Sequence, residues 1–444
     1  MDYEQALSYL ESPARFSPRL GLDRMQQLLE KLDHPERAFP SVLIGGTSGK
    51  GSSAKLIQAV LSRAGFRTGF LSKPHLQDYR ERVTVDGRWI DKPDLTRIVA
   101  EMVPAAQQIA QGSLGHPTFF EMGATLAFHY FAERRVDVAV VEVGLGGRLD
   151  ATNVLQPILC GITPVGFDHT EILGNTLAQI ATEKAGILKP GVPAVLAPQP
   201  EEALAVIRQT ACQRGVPLYS SEIWSLEPET SEWLGQTFSL RKVPPPPGIV
   251  DLPLAEGFVY PQLALSLVGA HQGSNAAFAL TVLWLLQERG FAWEERQLRD
   301  AWRTLFWPGR MEILSRHPLL VIDGAHNPEK ARALAEAVRA LGQDRRWVLV
   351  LGASREKDLR GVLQPFLSLN PTLIATQAQS ERARPAEEVL AVGRSLGLEG
   401  EQALRVSTAV ERAQVLAGPD GLVLVTGSMY VAGEARDLFF PVTG

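Results

Sequence analysis

The stretch V-L-I-G-G-T-S-G-K-G-S-S, residues 42–53, decides the fold. A short β-rich apolar run enters a turn dense in glycine and holding one lysine. A helix follows, with Leu56, Ile57, Val60, Leu61 and Ala64 at helical spacing. Strand, glycine turn and helix in that order gather several backbone N–H groups on one point, with the positive end of the helix dipole behind them, and so suit a phosphate anion. Glycine serves where the backbone must bend sharply or touch the phosphate; Gly49 and Gly51 flank Lys50, which has the reach for the terminal phosphates of a nucleoside triphosphate. The hydroxyl of Ser52 or Ser53 can face a metal ion. The spacing departs from G-x-x-x-x-G-K-[ST], because Ile44 stands where the first glycine belongs and Gly51 follows the lysine. An ordinary ATPase is therefore a poor match.

Outward from this turn, β-rich runs at 42–44, 68–71, 136–143, 158–162 and 194–197 alternate with helical patterns, which predicts an α/β domain with a parallel sheet and crossover helices. Between 220 and 268 the helical period disappears, 237–241 alternates and 244–247 is four prolines, which reads as strands and loops added to that domain. Helices are expected at 272–289 and 294–305, and Trp307-Pro308-Gly309 then breaks the chain. Runs at 319–322, 347–351, 373–376 and 422–426, with helical segments at 328–341 and 385–396, predict a second, smaller α/β domain. The expected division is 1–306 and 307–444.

At 444 residues the chain is long enough for two or three domains with a large core. A net charge of −5 without a block of like charge argues against nucleic acid or an anionic membrane as the main partner. Cys160 and Cys212 are too few for a disulfide framework or a cysteine metal cage, and both read as packing residues in apolar surroundings. The acidic, amphipathic first ten residues and the lack of a long apolar run predict a soluble cytoplasmic protein.

Chemistry concentrates at strand ends. In D-V-A-V-V-E-V-G-L-G-G-R-L-D-A-T-N, residues 137–153, an aliphatic strand ends in Glu142 before a glycine-rich turn. In an open parallel sheet ligands collect beyond the carboxyl ends of the strands, so Glu142 should face the same crevice as Lys50 and can hold Mg²⁺ there. The alternative is a carboxylate satisfied by nearby N–H groups. Arg148 and Asp150 offer polar groups after the turn. His169 follows a strand and is either a metal ligand or a structural imidazole. Lys184, among Ile180, Ala181, Ala185 and Ile187, is either a snorkelling lysine or an amine kept neutral by its apolar setting. Asn275 can cap a helix or read a purine, Arg310 can reach phosphates across a cleft, and Asp323 ends a buried strand before a glycine.

Together these segments resemble the folylpolyglutamate synthase and dihydrofolate synthase family, within the Mur ligase superfamily. The resemblance rests on G-T-S-G-K-G-S at 46–52, P-H-L at 74–76 with Glu81-Arg82, E-V-G-L-G-G-R-L-D-A-T-N at 142–153, Asp168-His169, E-K-A-G-I at 183–187, H-Q-x-x-N at 271–275, P-G-R at 308–310 and D-G-A-H-N-P at 323–328. It implies a P-loop-type, mostly parallel sheet domain with helices on both faces and a smaller C-terminal Rossmann-like α/β domain. It further implies ATP held by Gly49, Lys50, Gly51, Ser52, Asn275, Arg310 and Asp323, Glu142 and His169 as ligands for two Mg²⁺ sites, and a carbamylated Lys184. The implied pterin pocket takes Leu20, Gly21, Leu22, Thr118, Phe119, Phe120, Glu121, Leu149, Asp150 and Ala151, while His326 and Ser428 are placed on glutamate.

Two positions depart from the family pattern: Ser48 replaces a usual asparagine, and Lys73 stands where a Mg²⁺-ligating serine is usual, which leaves Ser72 or backbone as the substitute ligand. An ammonium cannot coordinate the ion, although its charge can act on phosphate in the metal's stead. The expected activity is ATP-dependent ligation of L-glutamate to dihydropteroate or a reduced folate through an acyl phosphate, by a monomer with small-molecule substrates only.

Overall fold

The computed structural model describes residues 1–12, 21–342 and 345–442. Eight strands form the first sheet: β1 (Ser41–Gly45), β2 (Thr68–Leu71), β3 (Val83–Val85), β4 (Arg88–Trp89), β5 (Val138–Glu142), β6 (Leu159–Ile162), β7 (Ala194–Leu196) and β8 (Leu218–Ser220). Their order is β4-β3-β2-β5-β1-β6-β7-β8; all are parallel except β3 and β4, which run antiparallel at one edge. Sequential strands β1 and β2 are separated by β5, so the phosphate turn after β1 and the glycine turn after β5 lie side by side at the carboxyl edge, where such sheets bind ligands.

Burial on both faces explains why these strands read as unbroken aliphatic runs. In β1, Leu43 enters one core with the helices Asp23–Lys31, Lys92–Ala110 and Phe119–Glu133, whereas Val42 and Ile44 enter another with Lys50–Arg63, Ala270–Gln287 and Glu295–Arg303. The alternating segment became a three-stranded antiparallel sheet, β9 (Trp224–Glu232), β10 (Gly235–Lys242) and β11 (Val259–Leu265), whose Trp224, Phe238 and Leu240 cover the second core.

The last sheet has six strands: β12 (Glu312–Arg316), β13 (Leu319–Ile322), β14 (Trp347–Leu351), β15 (Thr372–Ala375), β16 (Gly400–Gln402) and β17 (Leu422–Thr426), ordered β12-β13-β17-β14-β15-β16 and parallel but for β12. It too is covered on both faces: Val321 and Leu349 pack against the helices Pro328–Leu341 and Ala386–Ser395, Leu320 and Val348 against Val406–Ala417 and Met429–Asp437. The expected helices and strands are present with shifted ends; the strands β3, β4, β8 and β16, of two or three residues, are too short to show a period in the sequence. Cys160 is buried as expected, but Cys212 is exposed, because it lies on the solvent side of the helix Glu201–Arg214. Among the described residues no helix is long and apolar enough to cross a membrane.

Candidate active site

The carboxyl edge of the first sheet faces the last sheet's lobe across a cavity of about 590 Å³. Lining it are Gly49, Lys50, Gly51, Ser52, Phe119, Phe120, Glu142, His169, Lys184, Asn275, Arg310, Asp323, His326 and Ser428 of the residues expected from sequence.

The turn after β1 is shaped by two glycines. Gly46 has φ +132°, and a Cβ there would collide with Thr163; Gly49, at φ +83°, is the N-cap of the helix Lys50–Arg63, and a Cβ would collide with the Asn275 carboxamide. Both positions require a residue without a side chain. Lys50 Nζ folds back over the loop, donating to Gly46 O at 3.1 Å and Thr47 O at 3.2 Å. The buried Ser48 hydroxyl has no protein partner. Asn275 is not a cap, as Gly269 holds that place; it lies inside Ala270–Gln287, donates to Gln272 Oε1 at 3.0 Å and abuts the phosphate loop.

Glu142 ends β5, is 6 % exposed and accepts the Lys73 N–H at 3.1 Å. A Cβ built on Gly51 would stand 3.2 Å from its Oε2, so this carboxylate lies directly against the start of the loop's helix. His169 sits at φ +50° beside Asp168 and Glu171, and burial is the main reason its imidazole is held below its ordinary pKa, leaving a ring lone pair free. Lys184, on Leu177–Ala185, donates to Gly46 O at 2.7 Å; burial, helped by the Lys50 charge, lowers its ammonium to about 7. The buried setting thus holds the Nζ on the loop carbonyl, away from solvent, with its ammonium lowered.

From the other lobe, Asp323 follows β13 and accepts from Met311 N at 3.0 Å and Ala325 N at 2.8 Å, with burial raising its carboxyl. Arg310 Nη1 donates to Gly309 O at 3.0 Å. His326 Nδ1 meets Gly324 O at 2.8 Å and Nε2 meets Lys330 Nζ at 3.2 Å; burial and the Lys330 charge hold the ring well below its ordinary pKa. Ser428 caps Met429–Asp437, its hydroxyl accepting from Tyr430 N at 3.2 Å.

Several expected residues lie elsewhere. Thr118 caps Phe119–Glu133, and Glu121 completes the capping box while pairing with Arg24 at 3.0 Å; neither lines the cavity. Asp150, also outside the lining, accepts from Gly144 N, Leu145 N and Thr152 N, which shapes the glycine turn. Leu149, Ala151, Gly21 and Leu22 are absent from the cavity lining, as is Arg148, which pairs with Glu183 at 2.8 Å; Leu20 lies outside the described residues. Ser72 is buried outside the lining, with its N–H on Arg82 O. Lys73 lines the cavity too, and members given no role from sequence are Arg82, Lys330, Lys357 and Tyr430. Lys330, four residues after His326, has its ammonium lowered to about 8 by burial; Lys357 had no local signal, since its partner Asp168 is 189 residues away in sequence.

Residues 309–429 match the family model described as "Mur ligase, glutamate ligase domain". The chain is 33% identical over 437 residues to the dihydrofolate synthase/folylpolyglutamate synthase of Bacillus subtilis, covering 98% of both chains. Among solved structures, Mycobacterium tuberculosis folylpolyglutamate synthase complexed with ADP and AMPPCP superposes with a TM-score of 0.87 at 32% identity, with 99% of each chain covered. The Escherichia coli FolC structure in complex with DHPP and ADP gives 0.85 at 30% identity, covering 99% of this chain and 97% of that one. Similarity sustained over nearly the full length of these proteins places the chain in the folylpolyglutamate synthase/dihydrofolate synthase family of ATP-dependent Mur-type ligases.

Proposed function

We propose that this enzyme joins L-glutamate to dihydropteroate, to the γ-carboxylate of a reduced folate, or to both, at the expense of ATP. The observation that carries the reading is the convergence of the phosphate loop, Glu142, Arg310 and Asp323 on one cavity that also holds an aromatic corner, Phe119 and Phe120. The loop N–H groups, Ser48 and Lys50 bind the triphosphate; leaving Gly46 O and Thr47 O lets the Lys50 ammonium turn onto the terminal phosphoryl oxygens. Arg310 reaches the phosphates from across the cleft, and Asp323 accepts from a nucleotide hydroxyl. The acceptor carboxylate takes the γ-phosphoryl group, with ADP leaving. The glutamate amine then attacks the acyl carbon of that acyl phosphate, and phosphate departs as the amide forms. A carboxylate resists amines because oxide leaves poorly, and phosphorylation supplies the better leaving group.

Glu142, Ser52 and His169 offer the oxygen and imidazole donors that suit a Mg²⁺ ion shared with phosphate oxygens, and a carbamylated Lys184 would add a carboxylate-like donor. Bound there, the ion would neutralise charge on the transferring phosphoryl group. The place of the family's ligating serine does not fit a second ion, since Lys73 offers an amine nitrogen there and Mg²⁺ takes chiefly oxygen ligands. His326, held neutral, and Ser428 line the side from which glutamate would approach.

Purified enzyme given dihydropteroate and tetrahydrofolate in parallel should incorporate labelled glutamate only with ATP; phosphate release independent of glutamate and pterin would overturn the reading. Lys50→Ala should lower ligation by roughly 10²–10³-fold or more, as for loss of an electrostatic contact to a transition state; near-normal turnover would exclude the phosphate-loop assignment.

A further inference from the structure

Lys73 is a cavity residue that the ATP chemistry above leaves unused. Its Nζ is buried and makes no hydrogen bond within the protein, although the residue lines the cavity; burial lowers its ammonium, and the Asp150 and Glu142 carboxylates act on it through charge alone. It lies 5.2 Å from the Phe120 ring centroid and against the backbone of Gly144, where a Cβ would come within 2.8 Å of it. Next to it the Arg82 guanidinium stands 4.8 Å from the Phe119 ring centroid, with its Nε donating to His75 Nδ1 at 2.8 Å. The backbone N–H of Lys73 meanwhile holds Glu142, at the phosphate-loop end of the cavity. Lys73 therefore spans from the strand-end carboxylate to the aromatic corner, and its tip lies between the Phe120 ring and the Gly144 turn that Asp150 shapes.

A buried ammonium without an acceptor is costly unless a ligand supplies one. Two aromatic rings flanked by cations form a surface for a flat ring system that carries an acid. The phosphate loop has its own donors at the opposite end, so the anion left for Lys73 is the one that arrives with the aromatic ligand.

We infer that Lys73 Nζ binds the carboxylate of the aromatic acceptor and holds it at the mouth of the phosphate site, in the place where a metal ligand is usual in this family. This rests on the ligase reading and names the group that recognises the acceptor's acid. The charge-assisted contact selects acceptors bearing a carboxylate at that distance from the ring, and it positions one carboxylate oxygen to take the phosphoryl group.

Lys73→Met keeps the stem and removes the charge. Binding of dihydropteroate, and of its analogue lacking the carboxylate, should be measured by calorimetry on the full-length wild type and variant with AMPPCP present, with AMPPCP affinity taken separately. The expected result is a roughly 10- to 100-fold weaker dihydropteroate dissociation constant, the scale of a lost hydrogen bond to a charged group, with analogue and AMPPCP affinities within about twofold of wild type. Lys73→Arg should recover part of the loss. Unchanged dihydropteroate affinity would overturn the inference, as would a loss confined to AMPPCP, which would assign the ammonium to phosphate. Retained AMPPCP binding shows that the variant is folded. If wild type binds neither pterin, the acceptor reading fails instead, and the two failures are told apart.

Discussion

At the residue scale, the same physical cause, burial, gives neighbouring groups opposite uses. Lys184 is 4 % exposed, and its ammonium is lowered to about 7, so a large part of the population carries a free amine at neutral pH. A free amine attacks CO₂ and an ammonium does not. Labelled bicarbonate should thus give a carbamate resonance in the wild type that Lys184→Gln lacks, and the signal should weaken as pH falls below about 7 and amine becomes ammonium. A wild-type spectrum without that resonance at pH 8 would remove the carbamate. Asp323 shows the reverse case, a carboxyl raised by burial yet retained by the N–H groups of Met311 and Ala325, which fix its direction into the cavity.

At the scale of elements, the phosphate turn depends on what the next strand places beside it. Gly46 is hemmed in by Thr163, one residue past the end of β6, whose hydroxyl donates to Gly45 O at 3.1 Å. Gly46→Ala combines a forbidden φ with that collision. It should cost about 1–3 kcal/mol of stability from backbone strain alone, visible as a lower thermal midpoint, and it should weaken nucleotide binding by shifting the loop. An alanine variant with wild-type melting and affinity would show the turn to be more adaptable than its geometry requires. Asn275 illustrates a similar dependence: periodicity places it on a helix, but only packing of that helix against Lys50–Arg63 brings its carboxamide to Gly49.

Across the whole molecule, the site exists only while two lobes face each other. Asp168 from the first lobe pairs with Lys357 of the other at 2.9 Å. Burial would raise the Asp168 carboxyl, but the His169, Lys357 and Lys330 charges together outweigh it and hold the carboxyl well below its ordinary 3.8. A carboxyl depressed in the folded state contributes stability above its unfolded pKa and loses it as pH falls, so this clasp is present above about pH 4 and weakens below it. Lys357→Met should cost about 1.5–3 kcal/mol, the scale of a hydrogen bond to a charged group. It should also raise the KM for ATP and flatten the acid limb of the stability profile. Scattering that shows no wider lobe separation, with KM unchanged, would make this ion pair incidental to closure. The lobes also touch where Gln77 Nε2 donates to Asp437 Oδ1 at 2.6 Å, on the far side of Trp307-Pro308-Gly309.

The linear chain determined what local chemistry can determine: aliphatic runs buried on both faces, helical periods between them, glycine where phosphate is approached, and a carboxylate at a strand end. These carry their own signal because strand, helix and turn preferences act over a few residues. Tertiary structure decided which side chains are free to bind. Thr118, Glu121 and Asp150 look like ligands in a motif, yet their oxygens are consumed by neighbouring N–H groups or by Arg24, a pairing 97 residues apart. Lys73 looks like a defect in a metal motif, and only the surrounding rings and the lack of a partner give its ammonium a use. Hydrogen-bond satisfaction and charge pairing are settled by whatever folding brings within about 3 Å, and sequence distance carries no record of that.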